Sequence, residues 1–289
     1  MSWRLRYASH LGFRSLEAPL FLASVGSSDP VAHVQFAHEL GFAGVQDALA
    51  RQRTSADSER IGRALVECAM EPGCVLYAPI DLATAPLWGT NAAEARDARR
   101  RELDGAILCA KRIGARRIAV LSGADPKIPK ALQLASMVDN LREAAEIAER
   151  NDVVLCLESV NSQTLPSMLL QHIADAYLVV RAVDSPRVRL IFDTAHVQIM
   201  DGDVLTNLDR VWDAVEIVQI ANVPGRVEPE AGELAMRPVL QRLVDRRYSG
   251  LVELEHVWSV PGRESERRGI AYLTELERQL HPPPPTERL

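Results

Sequence analysis

The chain has 289 residues, of which 47% are hydrophobic and 25% are charged, and its formal net charge is −6. This composition is typical of a soluble globular protein, and the acidic balance argues against a nucleic-acid-binding surface, where a basic stripe is expected. No apolar run approaches the ~18 residues that span a bilayer, and Met1–Arg6 lacks the apolar stretch of a signal peptide, so we expect a cytoplasmic protein that binds neither nucleic acid nor membrane.

Strand-like and helix-like segments alternate along the whole chain. The predicted strands are apolar runs rich in Val, Ile and Leu, and they are Arg4–His10, Gly44–Ala48, Cys74–Ile80, Arg117–Ser122, Val153–Ser159, Val188–His196, Val215–Asn222 and Leu251–Val257. The predicted helices have amphipathic patterns, and they are Asp29–Leu40, Ser55–Met70, Ala92–Ile113, Ala131–Glu149, Leu169–Val183, Val204–Ala214, Glu233–Arg247 and Glu264–Gln279. A second candidate for the first strand is the apolar run Leu20–Val25.

Capping residues mark several helix ends. Asp29 precedes a proline suited to the first helical turn, and Gly41 and Gly114 follow helical patterns, where glycine can adopt a left-handed conformation. Eight strands, each followed by a helix, predict a single-domain (β/α)8 TIM barrel over residues 1–280, followed by a Pro-rich extended tail at 281–289. An open doubly wound sheet is the competing architecture, but its usual glycine-rich phosphate turn, G-x-G-x-x-G, does not occur in this sequence.

Four of the predicted strands reach a side-chain oxygen where their apolar run stops. The residues at these positions are Glu158, Asp193, Gln219 and Glu255. Because the carboxyl ends of parallel strands meet at one face of a barrel, we expect the four side chains to converge. Carboxylate and amide oxygens favour hard cations, so the cluster predicts one divalent metal, Mg²⁺ or Mn²⁺. The alternative is four unrelated polar residues that cap neighbouring helices.

Such a cluster can move protons on a small substrate. A metal polarises a carbonyl and stabilises an enediolate, and two glutamates on opposite sides of the substrate would permit isomerisation, epimerisation or dehydration. His196 follows the sixth strand, and Arg226 lies in a turn-rich loop. The planar guanidinium of an arginine can bind an anionic group through two hydrogen bonds. Asn161 follows Glu158 and can orient a substrate. A structural histidine, a solvated arginine and a turn asparagine are the alternatives.

Three motifs resemble the hydroxypyruvate isomerase family of the xylose isomerase-like TIM barrels: Glu158–Asn161, Phe192–Asp203 and Val218–Glu233. The resemblance implies a metal-dependent isomerase of a small hydroxy-oxo acid or sugar that acts through an enediolate. It assigns the metal to Glu158, Asp193, Gln219 and Glu255, acid/base catalysis to Glu158 and Glu255, and substrate contacts to His196 and Arg226. Asn161 and Glu228 lie in the same motifs and complete the predicted substrate contacts.

The sequence departs from this family at the substrate end. Gln46 stands where the family usually has glutamate, Ala119 where it has histidine, and His256 where it tends to have an aromatic residue. An epimerase or dehydratase on the same metal-binding residues is therefore the nearest alternative. A DNA repair nuclease is disfavoured by the charge of −6, and a non-catalytic barrel is the remote alternative. The sequence leaves open whether the protein is a homo-oligomer.

Overall fold

The computed structural model describes residues 3–282, so residues 283–289 of the predicted tail lie outside the described part of the chain. The strands are β1 Arg6–His10, β2 Gly44–Gln46, β3 Glu71–Pro72, β4 Val75–Leu76, β5 Arg117–Val120, β6 Val154–Glu158, β7 Val188–Asp193, β8 Val215–Ile220 and β9 Leu251–Leu254. The helices are α1 Leu22–Val25, α2 Pro30–Glu39, α3 Ser55–Glu67, α4 Ile80–Ala83, α5 Ala93–Ile113, α6 Lys130–Asn151, α7 Ile173–Val183, α8 Thr194–Met200, α9 Val204–Val211, α10 Met236–Asp245 and α11 Arg263–Gln279. None of the described helices is long and apolar enough to cross a membrane.

The strands form one parallel sheet that curls into a barrel. Their order is β3-β2-β1-β9-β8-β7-β6-β5-β4. The strands at the two ends of this order, β3 and β4, are successive pieces of one segment, and only Gly73 and Cys74 separate them. Because this segment pairs with β2 on one side and with β5 on the other, it joins the two ends of the sheet. The predicted TIM barrel is confirmed, and the open doubly wound sheet is rejected.

The third strand of the barrel differs from its prediction. We predicted one strand at Cys74–Ile80, but the structure has two short pieces around residue 74 and begins a helix at Ile80. The Cys74 N–H donates to Glu253 Oε1 at 2.8 Å inside the barrel, in place of a ladder hydrogen bond to a neighbouring strand. A Cβ on Gly73 would lie 2.4 Å from the same oxygen, so only glycine allows this close approach.

Two other predicted bounds are also corrected. The predicted strand Val188–His196 ends at Asp193, whose carboxylate accepts hydrogen bonds from the N–H groups of Ala195 at 2.8 Å and His196 at 3.0 Å. These bonds cap a helix that the sequence patterns did not reveal. The second candidate for the first strand, Leu20–Val25, contains α1, so the first strand lies at Arg6–His10.

The predicted helix caps are confirmed. Asp29 accepts a hydrogen bond from the Ala32 N–H at 3.4 Å at the start of α2, with Pro30 in its first turn. Gly41 and Gly114 follow α2 and α5 with φ of 77° and 80°, the left-handed conformation that glycine adopts without steric strain. These caps mark both ends of α2 and the C-terminal end of α5.

Ion pairs cover the N-terminal end of the barrel. Arg6 Nη2 lies 2.8 Å from Glu71 Oε2, Arg117 hydrogen-bonds the other oxygen of Glu71, and Arg117 Nε lies 2.9 Å from Glu216 Oε1. Burial alone would raise the pKa of Glu71, but the two arginines hold it below its usual value. Two cations and two anions alternate here, so this end of the barrel is electrically balanced.

Candidate active site

The four predicted metal ligands lie at the C-terminal mouth of the barrel. Glu158 and Asp193 end β6 and β7, Gln219 is the next-to-last residue of β8, and Glu255 follows β9 directly. Their exposed fractions are 8%, 2%, 1% and 8% in that order. Because these four strands are adjacent and parallel, their carboxyl ends share one side of the sheet. The structure therefore brings the four side chains to one buried place.

His196 joins two of these residues in a tighter group. Ligand atoms of Glu158, Asp193 and His196 all lie within 4.8 Å of one another, and His196 Nε2 lies 3.3 Å from Glu158 Oε1. Asn161 Nδ2 lies 2.6 Å from His196 Nδ1 and holds the imidazole ring in place. The imidazole is thus a candidate metal ligand in addition to the predicted substrate contact. Asn161 contacts His196 and is not among the residues that line the cavity.

The Arg226 guanidinium lies between two of the carboxylates. Its Nη2 is 2.6 Å from both Asp193 Oδ2 and Glu255 Oε1, and its Nε donates to the Glu255 carbonyl at 3.0 Å. The residue adopts φ of 56° in a turn closed by backbone hydrogen bonds between Asn222 and Val227. This left-handed turn directs the guanidinium into the mouth of the barrel, where it also lines the cavity.

Glu255 is the carboxylate with the most unusual surroundings. Its Oε2 accepts hydrogen bonds from the Gln46 and Gln219 side-chain amides, each at 2.5 Å. Burial raises its pKa to about 8, and two neighbouring carboxylates strengthen this shift while Arg226 opposes it. Gln46 is one of the departures from the family, and its role in this structure is to hold Glu255.

The residues at the mouth fit a divalent cation. Three buried carboxylates surround one buried guanidinium, that of Arg226, and a second guanidinium, that of Arg14, lines the cavity from an exposed position. The Gln219 Oε1 atom is buried without a hydrogen-bond partner among the described residues, and an orphaned oxygen of this kind can coordinate a metal. Carboxylate and amide oxygens suit Mg²⁺ or Mn²⁺. The ion would be held by Glu158, Asp193 and His196, whose ligand atoms lie within 4.8 Å of one another. Glu255 lies outside this group among the described residues, and the predicted ligation by Glu255 and Gln219 stays a prediction.

Glu253 is a buried site residue that the sequence analysis missed. It is 0% exposed, and its carboxylate accepts hydrogen bonds from Gln219 Nε2 at 2.9 Å and from the Cys74 N–H at 2.8 Å. Burial raises its pKa above the usual value. A signal was present, because side chains alternate along a strand and Glu253 must share the inward face with Glu255.

The structure does not bring Glu228 to the cavity. Its carboxylate is 1% exposed and accepts hydrogen bonds from the Ser259 N–H at 2.7 Å and the Ser259 hydroxyl at 2.6 Å. These bonds join the loop after β8 to the loop after β9. Glu228 therefore supports the loop that carries Arg226, and its predicted substrate contact has no support in this geometry.

A cavity of about 290 Å³ opens above these residues at the mouth. Its polar lining includes both proposed acid/base glutamates, Glu158 and Glu255, together with His196, Gln219 and Arg226. The cavity thus places titratable groups, a cation and a hydrogen-bonding imidazole around one small space, which is the arrangement expected of a small-molecule site.

Comparisons with known proteins identify similar sequences. A family model described as "Xylose isomerase-like TIM barrel" matches residues 34–276. A human protein provisionally named a hydroxypyruvate isomerase is 32% identical over 260 residues, which cover 87% of this chain and 91% of that protein. A 2-oxo-tetronate isomerase of Cupriavidus necator is 31% identical over 145 residues, which cover 50% of this chain and 56% of that protein.

A solved structure shows the same architecture over nearly the whole chain. The crystal structure of an AP endonuclease, family 2, from Brucella melitensis superposes with a TM-score of 0.77 at 25% sequence identity. The superposition covers 94% of this chain and 98% of that one.

Proposed function

The chain belongs to the xylose isomerase-like TIM barrel family, and on this basis we propose that it is a metal-dependent isomerase of a small hydroxy-oxo acid. The observation that carries the proposal is the pair of buried glutamates, Glu158 and Glu255, in one cavity with Arg226. Two glutamates and a cation are the groups that a proton shift on an acidic substrate requires.

The two glutamates would move the proton. Glu255 takes a proton from the hydroxyl-bearing carbon of the substrate, and Glu158 returns one to the neighbouring carbon, through an enediolate. The pKa of about 8 suits Glu255 to this role, because a group that titrates near neutral pH exchanges protons readily in both directions. A bound divalent metal supplies polarisation of the carbonyl and stabilises the negative charge that develops.

Arg226 and His196 would bind and orient the substrate. Arg226 lines the cavity next to Glu255, and its positive charge would attract the carboxylate of an acidic substrate. The His196 Nδ1 contacts the Asn161 side-chain amide, and Nε2 faces the Arg226 guanidinium and Glu158 Oε1, so the imidazole would contact the substrate beside both groups. Asn161 is thereby a positioning residue that holds the imidazole ring.

The experiment that tests the proposal follows two acids by NMR in D₂O: hydroxypyruvate and a 2-oxo-tetronate, the substrates that the relatives' names contain. Metal-depleted protein reloaded with Mn²⁺ or Mg²⁺ should form the constitutional isomer with one carbon-bound deuterium. A conjugated, UV-absorbing product would indicate a dehydratase, and inversion without a change of constitution would indicate an epimerase. Failure to bind Mn²⁺ or to convert any oxo acid or sugar would favour a non-catalytic barrel.

A further inference from the structure

The cavity at the mouth has two chemically different halves. The strands β6, β8 and β9 supply its polar half through Glu158, Gln219 and Glu255. The other half belongs to the neighbouring part of the barrel around β2, β4 and β5. Gln46, which hydrogen-bonds Glu255, lines the cavity there together with Gln52 and Cys74, and the remaining lining consists of the four side chains of Ala48, Leu76, Ala119 and Leu121. None of these four side chains carries a polar atom.

The apolar side chains form one continuous wall. Leu76 on β4 is the register partner of Ala119 on β5, and Leu121 lies two residues after Ala119, so that it shares the inward face. Val160 lines the cavity two residues beyond the end of β6 and adds a further apolar side chain.

Apolar side chains also lie at the entrance, beside the polar side chains of Arg14, Gln52 and Thr164. Ile80 lines the cavity with 47% of its surface exposed, and Leu49 and Leu165 line it nearby. The hydroxyl groups of a sugar would face this wall without hydrogen-bond partners, which costs free energy. A hydrocarbon group would gain from burial there. The cavity volume of about 290 Å³ also exceeds what a three-carbon acid fills.

We propose, on the premise of the isomerase function above, that the substrate is a 3-hydroxy-2-oxo acid whose carbon 3 carries a hydrocarbon chain. Its carboxylate binds Arg226, and its chain packs on the wall formed by Leu76, Ala119 and Leu121. The reaction balances without a co-reactant. The carbon-bound hydrogen leaves C3 and a proton is added at C2, while the hydroxyl proton passes from O3 to O2, which gives a 2-hydroxy-3-oxo acid.

The test measures binding of compounds that cannot react. The probes are unbranched 2-oxo acids of three to seven carbons, which lack the 3-hydroxyl group, and binding is measured by calorimetry on Mn²⁺-loaded protein. Affinity should rise about fourfold with each added methylene, the equivalent of ~0.8 kcal/mol per buried CH₂, until the wall is covered. Affinity that stays constant along the series would overturn the proposal. Equal or tighter binding of a five-carbon polyhydroxylated acid than of 2-oxopentanoate would also overturn it.

Two exposed residues provide a matched pair of variants. Ile80→Ser removes an apolar side chain at the entrance, where the side chain is 47% exposed, so the fold should tolerate the change. It should weaken binding of the seven-carbon acid several-fold more than binding of pyruvate. Leu108→Ser changes a 52% exposed leucine that does not line the cavity, and it should leave the series unchanged. If affinity depends on chain length in the same way in both variants, the hydrocarbon chain does not contact the apolar side chains of the cavity.

Binding of these probes requires no turnover, so the two proposals fail separately. A steep chain-length series in a protein without isomerase activity would overturn the proposed function and support the apolar wall. Turnover of hydroxypyruvate with a flat binding series would support the isomerase and overturn the hydrocarbon-bearing substrate.

Discussion

The two ends of the barrel hold their charges in opposite ways. At the N-terminal end, Arg6 and Arg117 alternate with Glu71 and Glu216, and their side chains are between 18% and 44% exposed. At the C-terminal mouth, three carboxylates surround one buried guanidinium, and the side chains involved are no more than 10% exposed.

This difference separates a structural charge cluster from a functional one. Partly exposed ion pairs contribute little to the free energy of unfolding. Buried carboxylates in excess over their cations, in contrast, lower the stability of the folded state because they lose their hydration. A fold that keeps such a group uses it for chemistry more often than for stability. The predictions below test whether the two ends differ in this way.

The largest expected effect is on turnover at the mouth. Glu255→Gln keeps an oxygen donor but removes the proposed base, so kcat should fall by roughly 10²–10⁴. Steady-state NMR assays measure it. The matched control is Glu216→Gln, the same chemical change at the other end of the barrel, and it should leave kcat within a factor of two or so of the parent. Equal losses of kcat in the two variants would show that the carboxylates at the C-terminal mouth have no special role in turnover.

The next effect concerns Arg226, the buried guanidinium paired with Asp193 and Glu255. Arg226→Ala should lower kcat/KM for an acidic substrate by roughly one to two orders of magnitude, the loss of a charge-assisted hydrogen bond worth ~1.5–3 kcal/mol. Metal content should not fall, because a guanidinium is no ligand. The metal-free variant should also be less stable, since Asp193 and Glu255 lose their partner. Arg267→Ala, on the surface of α11, is the control. Full activity of the Arg226 variant on an acidic substrate would disprove the proposed contact between Arg226 and the substrate carboxylate.

A third prediction compares the two ends by their pH dependence. The pKa of Glu255 is raised from 4.5 to about 8, so the folded, metal-free protein binds more protons than the unfolded chain across that window. Its contribution to stability is present below pH 4.5 and is lost as the pH rises through 8, by at most ~1.4 kcal/mol per pH unit. Glu71 has a lowered pKa, so its contribution is present above 4.5 and is lost in acid.

Urea unfolding of metal-free protein at several pH values between 5 and 8 measures this dependence. The free energy of unfolding should fall less steeply with pH in Glu255→Gln than in the parent. Glu71→Gln should leave the slope in this window unchanged. If the parent and Glu255→Gln have the same slope, then Glu255 does not titrate near neutral pH in the folded protein.

The smallest effect is expected at the N-terminal end. Glu216→Gln removes one partly exposed ion pair with Arg117 and should lower the free energy of unfolding by ~1 kcal/mol or less. High salt should reduce the difference further, because it screens exposed charges. Thermal and urea unfolding at two ionic strengths would measure both effects. If the free energy of unfolding fell by several kcal/mol, the ion pairs at this end would contribute much more to stability than partly exposed pairs usually do.

The sequence predicted the barrel because its strands are continuous apolar runs and its helices have local caps. The positions of Glu158, Asp193 and Glu255 followed from the same patterns, since a charged residue at the end of an apolar strand is conspicuous. These features depend on neighbouring residues, and local periodicity records them.

Other features depend on contacts between distant parts of the chain. The hydrogen bond from Cys74 to Glu253 joins residues 179 positions apart and splits the third strand, and no local pattern contains that information. The ion pairs of Arg226 with Asp193 and Glu255 likewise require the closed barrel. The metal roles, the acid/base roles and the substrate contacts stay predictions until they are measured.

The split third strand also gives the barrel a seam. A closed sheet opens first where adjacent strands share the fewest paired residues. The two-residue strands β3 and β4 each pair with a single neighbour. Amide hydrogens between Glu71 and Leu76 should therefore exchange with solvent sooner than those of β6 or β7. Leu76 belongs to both the seam and the apolar wall. The part of the cavity proposed to bind the hydrocarbon chain is therefore also the part of the barrel expected to open most readily.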